Sequence, residues 1–343
     1  MTAFVTGGTG LVGVNLVRRL IDEGHRVRLL VRPGSPRVGI DQSRVEMTEG
    51  DVTDLASVRR AMSGCDRVYH IAGHVLITPW SAERSHAVNV VGTENVCQAA
   101  LDAGVARLMH TSSIAAIGSG TRESPADENS SWNFGRLKSP YYDTKRQAEN
   151  VVQSFIQRGL DAVIVNPSYI IGPWDVKPSS GRMILLFATR RLRWAPSRGG
   201  IGFVDVREVV DGMVAAMQLG KSSERYILSS DNLSYLEFGT KVARIAGVAP
   251  PRVSVPGWVL LPAAGVGSIL GRHWPAVFAD CNLTVLRTTT CEQYVSGEKA
   301  CGALGIRHRP IDAAIADALD WFAEHDYVRR TRKGWKMGPG FER

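Results

Sequence analysis

A chain whose first strand runs straight into a helix through closely spaced glycines has few folds open to it. Residues 1–6 read as a short buried strand. Gly7-Gly8-Thr9-Gly10-Leu11-Val12-Gly13 follows at once, and a helix begins near Leu11. Gly8, Gly10 and Gly13 satisfy G-x-G-x-x-G, and Gly7 extends the pattern to T-G-x-x-G-x-x-G. That spacing lets the backbone turn tightly, leaves room for a pyrophosphate where a Cβ would stand, and packs helix on strand. The free amides and positive dipole end of the helix supply the anion site. Gly7, Gly10, Leu11, Val12 and Gly13 are therefore expected to line a dinucleotide.

The periodicity that follows extends this unit. Val12, Leu16, Val17, Leu20 and Ile21 keep a helical period up to Gly24, and 26–31 forms a second strand. Further strands are expected at 45–49, 67–70, 107–111 and 162–166, separated by helices at 54–62, about 81–103 and about 140–157. Such alternation predicts an α/β fold, a doubly wound and mainly parallel Rossmann sheet. From Tyr169 the pattern changes, and a smaller C-terminal substrate lobe is expected. The boundaries read as 1–168 for the dinucleotide-binding part, with 203–229 returning to it, 169–202 and 230–328 for the lobe, and 329–343 as a basic flexible tail.

The residue after the second strand bears on the cofactor. Where NAD is selected, a carboxylate about twenty residues beyond the glycines holds the ribose 2′-OH. Arg32 stands there instead, and a guanidinium pairs with a 2′-phosphate that a carboxylate would repel. NADP(H) is thus preferred and NAD(H) is the alternative, with Arg28 or Arg37 as further partners for the phosphate.

Tyr141 and Lys145 lie four residues apart on an expected helix and share a face. A phenol with a pKa of about 10 is a poor acid-base catalyst at neutral pH, and an ammonium one turn along stabilises its anion. At the end of the fifth strand Thr111-Ser112-Ser113 offers a hydroxyl for a substrate oxygen, Ser113 first and Ser112 second. His70 and His74 are four apart, but Gly73 denies them a helix face, so no metal site is expected.

These pieces come in the order found in extended short-chain dehydrogenase/reductases, and the chain resembles that family over nearly its whole length. The resemblance rests on residues 6–13, Gly50-Asp51-Val52, His70-Ile71-Ala72-Gly73, 89–93, 111–118, 141–145, Asn166-Pro167-Ser168, Gly172-Pro173 and 203–207. Within the family it is similar to the dihydroflavonol-reductase-like branch and to hopanoid-associated sugar epimerase-like proteins, on 166–178, Gly181-Arg182 and 317–322. The resemblance implies a catalytic Ser113, Tyr141 and Lys145. It places Asp51, Val52, Ala72, Gly73, Lys145, Pro167 and Ser168 along the cofactor beside the glycines and Arg32. It also implies a homodimer formed through the helices flanking the fifth strand. The activity it implies is reduction of a ketone or aldehyde of a small or apolar substrate. The alternatives are a sugar-nucleotide epimerase or dehydratase holding NAD, and a non-catalytic NADP-binding sensor.

Composition closes off other classes. The net charge of +8 is concentrated at the end of the chain, where residues 329–343 hold six basic side chains and one acid. The body is therefore close to neutral, and no nucleic-acid partner is expected. Five cysteines with no C-x-x-C, and a strand starting almost at Met1, fit reduced thiols in a cytoplasmic protein. The most apolar stretch, 255–270, is broken by Pro256 and Pro262 and too short to span a bilayer. It is expected to be a buried or interfacial helix, with an apolar substrate wall or a peripheral membrane contact as alternatives. For Arg190, Arg191, Arg193 and Arg198 the readings are a solvated face or a clamp for an anionic substrate.

Overall fold

In the computed structural model, which describes all residues except Ala276, Arg332, Lys333 and Arg343, the central strands of the main sheet are buried on both faces. β1 (Thr2–Thr6), α1 (Leu11–Asp22), β2 (Arg26–Val31), β3 (Val45–Glu49), α2 (Leu55–Met62) and β4 (Arg67–His70) open the chain. Next come α3 (Ala82–His86), α4 (Gly92–Ala103), β5 (Arg107–Thr111), α5 (Pro140–Gln157) and β6 (Ala162–Pro167). Then follow β7 (Tyr169–Ile171), α6 (Gly181–Ala188), β8 (Trp194–Pro196), β9 (Gly200–Asp205), α7 (Val206–Leu219) and β10 (Arg225–Leu228). The chain continues with β11 (Asp231–Ser234), α8 (Tyr235–Ala246), β12 (Val253–Val255), α9 (Gly257–Leu270), α10 (Leu283–Thr289) and β13 (Glu292–Gln293). It closes with α11 (Glu298–Leu304), α12 (Ile311–Glu324), β14 (Val328–Thr331) and β15 (Gly334–Met337).

Seven strands form one parallel sheet in the order β3-β2-β1-β4-β5-β6-β10. Alternation sends Ala3 and Val5 to one face, where α1, α7 and α11 cover them, and Phe4 to the other, beneath α2, α4 and α5. The strand order reverses between β1 and β4, and open sheets of this kind hold ligands in the crevice at that point.

A second core lies around α6, α8 and α12. It packs on the small sheet that pairs β9 with β7, β11 and β13, and Phe203 stacks on Phe238 at 4.3 Å.

Four expectations change here. β9 joins the small sheet, so the return to the main sheet starts at α7 rather than Phe203, and α11 also packs back against α7 and β10. The end of the chain is a β14–β15 hairpin rather than a flexible tail, because Trp335, Met337 and Phe341 pack on the second core and Trp335 Nε1 donates to the Ala246 carbonyl at 2.8 Å. Arg332, Lys333 and Arg343 of that basic run lie outside the described residues. The helix expected over 81–103 contains a π-turn at Ala87–Val91. α9 is not buried: Ala264 and Gly267 are its buried residues. No helix among the described residues is long and apolar enough to cross a membrane.

Candidate active site

The first turn holds its shape because its glycines do different things. Gly7 has φ +72°, and a Cβ there would lie 2.6 Å from the Ala72 amide nitrogen, so the turn presses on the loop after β4. A Cβ on Gly13 would lie 2.1 Å from the Gly7 carbonyl, which fixes α1 against the turn. Gly10 is exposed, caps α1 without a side-chain bond, and no acid stands in the first turn. The amides that open α1, at Leu11 and Val12, are thus left for an anion.

A line of contacts leads from this turn to the far side of the crevice. Beyond Ala72, a Cβ on Gly73 would sit 3.4 Å from Lys145 Nζ and 3.5 Å from Asn89 Oδ1. Lys145 reaches across from α5 and donates to the Thr111 carbonyl at the end of β5, at 2.9 Å. Burial pulls its pKa down to about 8 against the raising effect of Glu149, and it stays mostly charged at neutral pH. One turn earlier, the Tyr141 phenol lies near the Ser113 hydroxyl, and burial outweighs the lowering influence of that hydroxyl to push the phenol pKa up. In the chain alone Tyr141 is therefore protonated, the form a proton donor needs. Ser112 is buried near the Glu149 carboxyl, and its hydroxyl has no hydrogen-bond partner among the described residues.

Polar groups behind these residues set their positions. Asn89 accepts from the His74 amide at 2.7 Å and donates to the His74 carbonyl at 3.0 Å and to Thr144 Oγ1 at 3.1 Å. It ties the β4 loop to α5, and the π-turn it stands on gives it that reach. Sequence reasoning counted Asn89 in a motif without giving it a role, since nothing local marks a π-turn. His70 lies between Thr6 Oγ1 at 2.7 Å and Thr93 Oγ1 at 3.0 Å. The Thr93 hydroxyl donates to the Asn89 carbonyl at 2.6 Å, so it accepts from His70 Nε2–H, and His70 Nδ1 accepts from Thr6. Both ring nitrogens are thereby used, and burial lowers the His70 pKa to about 3. Asn166 Nδ2 bonds the Ser113 carbonyl at 3.0 Å and Glu149 Oε1 at 2.6 Å, bracing the end of β5 from β6.

The remaining expected cofactor residues divide into two groups. Arg32 is exposed just past β2 and makes no ion pair among the described residues, while lying close enough to His74 to depress its pKa after burial and Arg84. Asp51 caps the turn after β3, accepting from the Thr53 amide and hydroxyl at 2.9 Å. Val52 packs under Gly92, and Pro167 and Ser168 close β6 with the buried Ser168 hydroxyl lacking a partner. Arg28 does not reach the site. It bonds the Ala61 and Ser63 carbonyls at the far end of α2 and pairs with Glu46, because its strand position points it there. Arg37 bonds Gln42 and faces Glu49 at 3.9 Å.

An open anion site at α1, a crevice at the strand reversal and a Ser–Tyr–Lys group at its end define a dinucleotide-dependent oxidoreductase. A family model described as the NAD dependent epimerase/dehydratase family matches residues 3–229. The chain is 37% identical over 335 residues to a putative dihydroflavonol 4-reductase of Synechocystis sp., covering 95% of this chain and 96% of that protein. It is 35% identical over 332 residues to sterol demethylase protein B of Methylococcus capsulatus, covering 96% and 100%. The crystal structure of gox2253 matches with a TM-score of 0.82 at 35% identity over 94% of this chain and 98% of that one. A UDP-glucose 4-epimerase of Thermus thermophilus in complex with NAD shares the fold, with a TM-score of 0.74 at 21% identity. The chain belongs to the NAD-dependent epimerase/dehydratase family, the extended short-chain dehydrogenase/reductases, and is an NAD(P)-dependent enzyme.

Proposed function

We propose that the chain is an NADP(H)-dependent reductase, working reversibly on a ketone or aldehyde of an apolar substrate. The observation that carries this reading is the approach of the Tyr141 phenol to Ser113 at the end of the crevice, with Lys145 one turn along and bonded to the Thr111 carbonyl at 2.9 Å. When bound, the nicotinamide supplies or accepts the hydride. Ser113 and Tyr141 hold the substrate oxygen, and Tyr141 passes its proton to that oxygen as negative charge gathers there. Lys145 uses one of its N–H donors on the Thr111 carbonyl and keeps two for the phenol side and the ribose hydroxyls. Its charge offsets the phenolate left by proton transfer.

Arg32 supports NADP(H). It stands where a ribose substituent falls in this fold and has no carboxylate to neutralise it.

The apolar substrate is supported from two sides. Phe134, Leu137, Tyr142, Trp132 and Ile77 cluster around Tyr141, and a polyhydroxylated substrate would find few partners there. Among the relatives, sterol demethylase protein B carries a sterol in its name, and a 29% identical protein of Stigmatella aurantiaca is named a ketoreductase of a farnesyl-bearing quinoline oxide.

Fluorescence titration with NADPH and NADH, followed by coenzyme-oxidation assays with a 3-ketosteroid and with UDP-glucose, tests the proposal. NADPH should bind at least tenfold tighter and be consumed stoichiometrically with the ketosteroid. Protein that carries NAD through purification and epimerises UDP-glucose without added coenzyme would overturn it.

A further inference from the structure

α9 is apolar on the side that faces away from the protein. Its sequence, GWVLLPAAGVGSIL, has no charged residue, and its hydroxyl, Ser268, accepts from the Leu283 amide at 2.8 Å. Small residues seat it: a Cβ on Gly267 would lie 1.7 Å from the Cys281 carbonyl, and one on Gly271, just past the helix, 2.2 Å from the Trp80 ring. On the opposite side Trp258 is 73% exposed, Leu261 50%, Val266 54% and Ile269 70%. Trp274 and Val277 continue the patch beyond the helix. An exposed face of this size and uniformity is uncommon on a chain that meets only water.

Charge around the patch is predominantly positive, and Asp280, which follows it in the chain, is paired with Arg182 at 2.6 Å. β12 leads into α9 and pairs with β8, which sets exposed Val253 beside exposed Trp194. Arg190, Arg191 and Arg193 precede β8, and Arg252 precedes β12; Arg272 follows the other end of α9. All five are exposed, and none makes an ion pair among the described residues. Between Phe238 and Ala279 the chain has no Asp or Glu, and none between Val176 and Val204. The chain leading into the apolar helix thus carries tryptophans and four unpaired arginines, and the chain leaving it carries Trp274 and Arg272. Tryptophan favours the boundary between headgroups and acyl chains, and arginine at that depth reaches anionic phosphates.

We propose that this face docks on the surface of an anionic lipid bilayer, with α9 lying in the interface. The alternative occupants are a poorer fit. A second copy would bring the same unpaired arginines into opposition, and a soluble acidic partner would leave the tryptophans and Ile269 unused. The face also adjoins the entrance of the crevice. Trp80, on which the end of α9 rests, belongs to the loop after β4 that carries Gly73, and Val75 and Leu76 of that loop are exposed. Docking there would set the site mouth against the membrane. The inference stands on the surface alone and does not depend on the substrate proposed above.

Flotation of the full chain with vesicles of phosphatidylcholine alone and with about 30% phosphatidylglycerol tests it. The chain should float with the anionic vesicles and bind the neutral ones at least tenfold more weakly, with a blue shift in tryptophan emission. W258S/I269S should lose at least tenfold in partition, and R190Q/R191Q/R193Q should lose the preference for anionic lipid. Unchanged melting temperature and NADPH binding in both variants establish that the loss is local. Absence of flotation by the parent chain, or flotation of W258S/I269S equal to the parent, overturns the proposal. So does a parent dimer that W258S/I269S converts to monomer with no lipid binding by either, since the face would then belong to a second copy.

Discussion

Arg32 is a single exposed side chain on which the proposed coenzyme choice rests, and its contribution is separable because it makes no ion pair among the described residues. Arg32→Asp should weaken NADPH about ten- to a hundredfold while leaving NADH within a few fold, measured by fluorescence titration. Equal losses for both coenzymes would show that the guanidinium does not meet a 2′-phosphate. Gly7 is the opposite kind of residue, fixed by its backbone. With φ +72° and the Ala72 amide 2.6 Å from where a Cβ would stand, Gly7→Ala should cost about 2–3 kcal/mol, read as a fall in urea midpoint. The glycine turn was legible in the sequence because it sits at a fixed spacing from the first strand. Arg28 was misread because its position in mid-strand sends the side chain toward α2, and facing is not visible in a list of basic residues.

Among the elements, the stretch from α3 to α4 shows where periodicity stops informing. Its apolar pattern reads as one long helix, and the π-turn at Ala87–Val91 that aims Asn89 at His74 and Thr144 leaves no mark on composition. Asn89→Ala strips partners from both polar groups of the His74 backbone. It should destabilise the chain by about 1–3 kcal/mol and lower kcat more than it raises KM, since the loop and α5 lose their tie. A kcat equal to that of the parent chain would confine Asn89 to stability. α9 shows a different limit: a run of apolar residues says that a surface avoids water, not which surface covers it. The hairpin at the end of the chain was hidden for a related reason: Arg329 and Lys336 face away on a strand pair whose Val328, Trp335 and Met337 face the second core, with Arg330 over the Trp335 ring.

For the molecule as a whole, the parallel sheet was legible because most of its strands are short, apolar and separated by helices, whereas the small sheet around β9 is assembled from distant short strands. The sheet interior also sets acid tolerance. His70 and His110 stand in register on β4 and β5, fully buried, and among the described residues His110 has no hydrogen-bond partner for either ring nitrogen. Burial lowers both pKa values, that of His70 to about 3. The unfolded chain binds these protons below about pH 6.5 and the folded chain does not, so stability is full above that pH and falls as pH drops toward 3. Urea unfolding at pH 7.5 and 5.5 should differ by about 2–3 kcal/mol from this pair, and His110→Leu should remove about half of the difference. The Ser–Tyr–Lys group is most directly tested by Tyr141→Phe, with turnover and NADPH binding measured on the same preparation. Turnover should fall by about two to four orders of magnitude, the scale of a lost general acid, while the NADPH dissociation constant stays within about threefold. Near-native turnover by Tyr141→Phe would contradict proton transfer by this phenol.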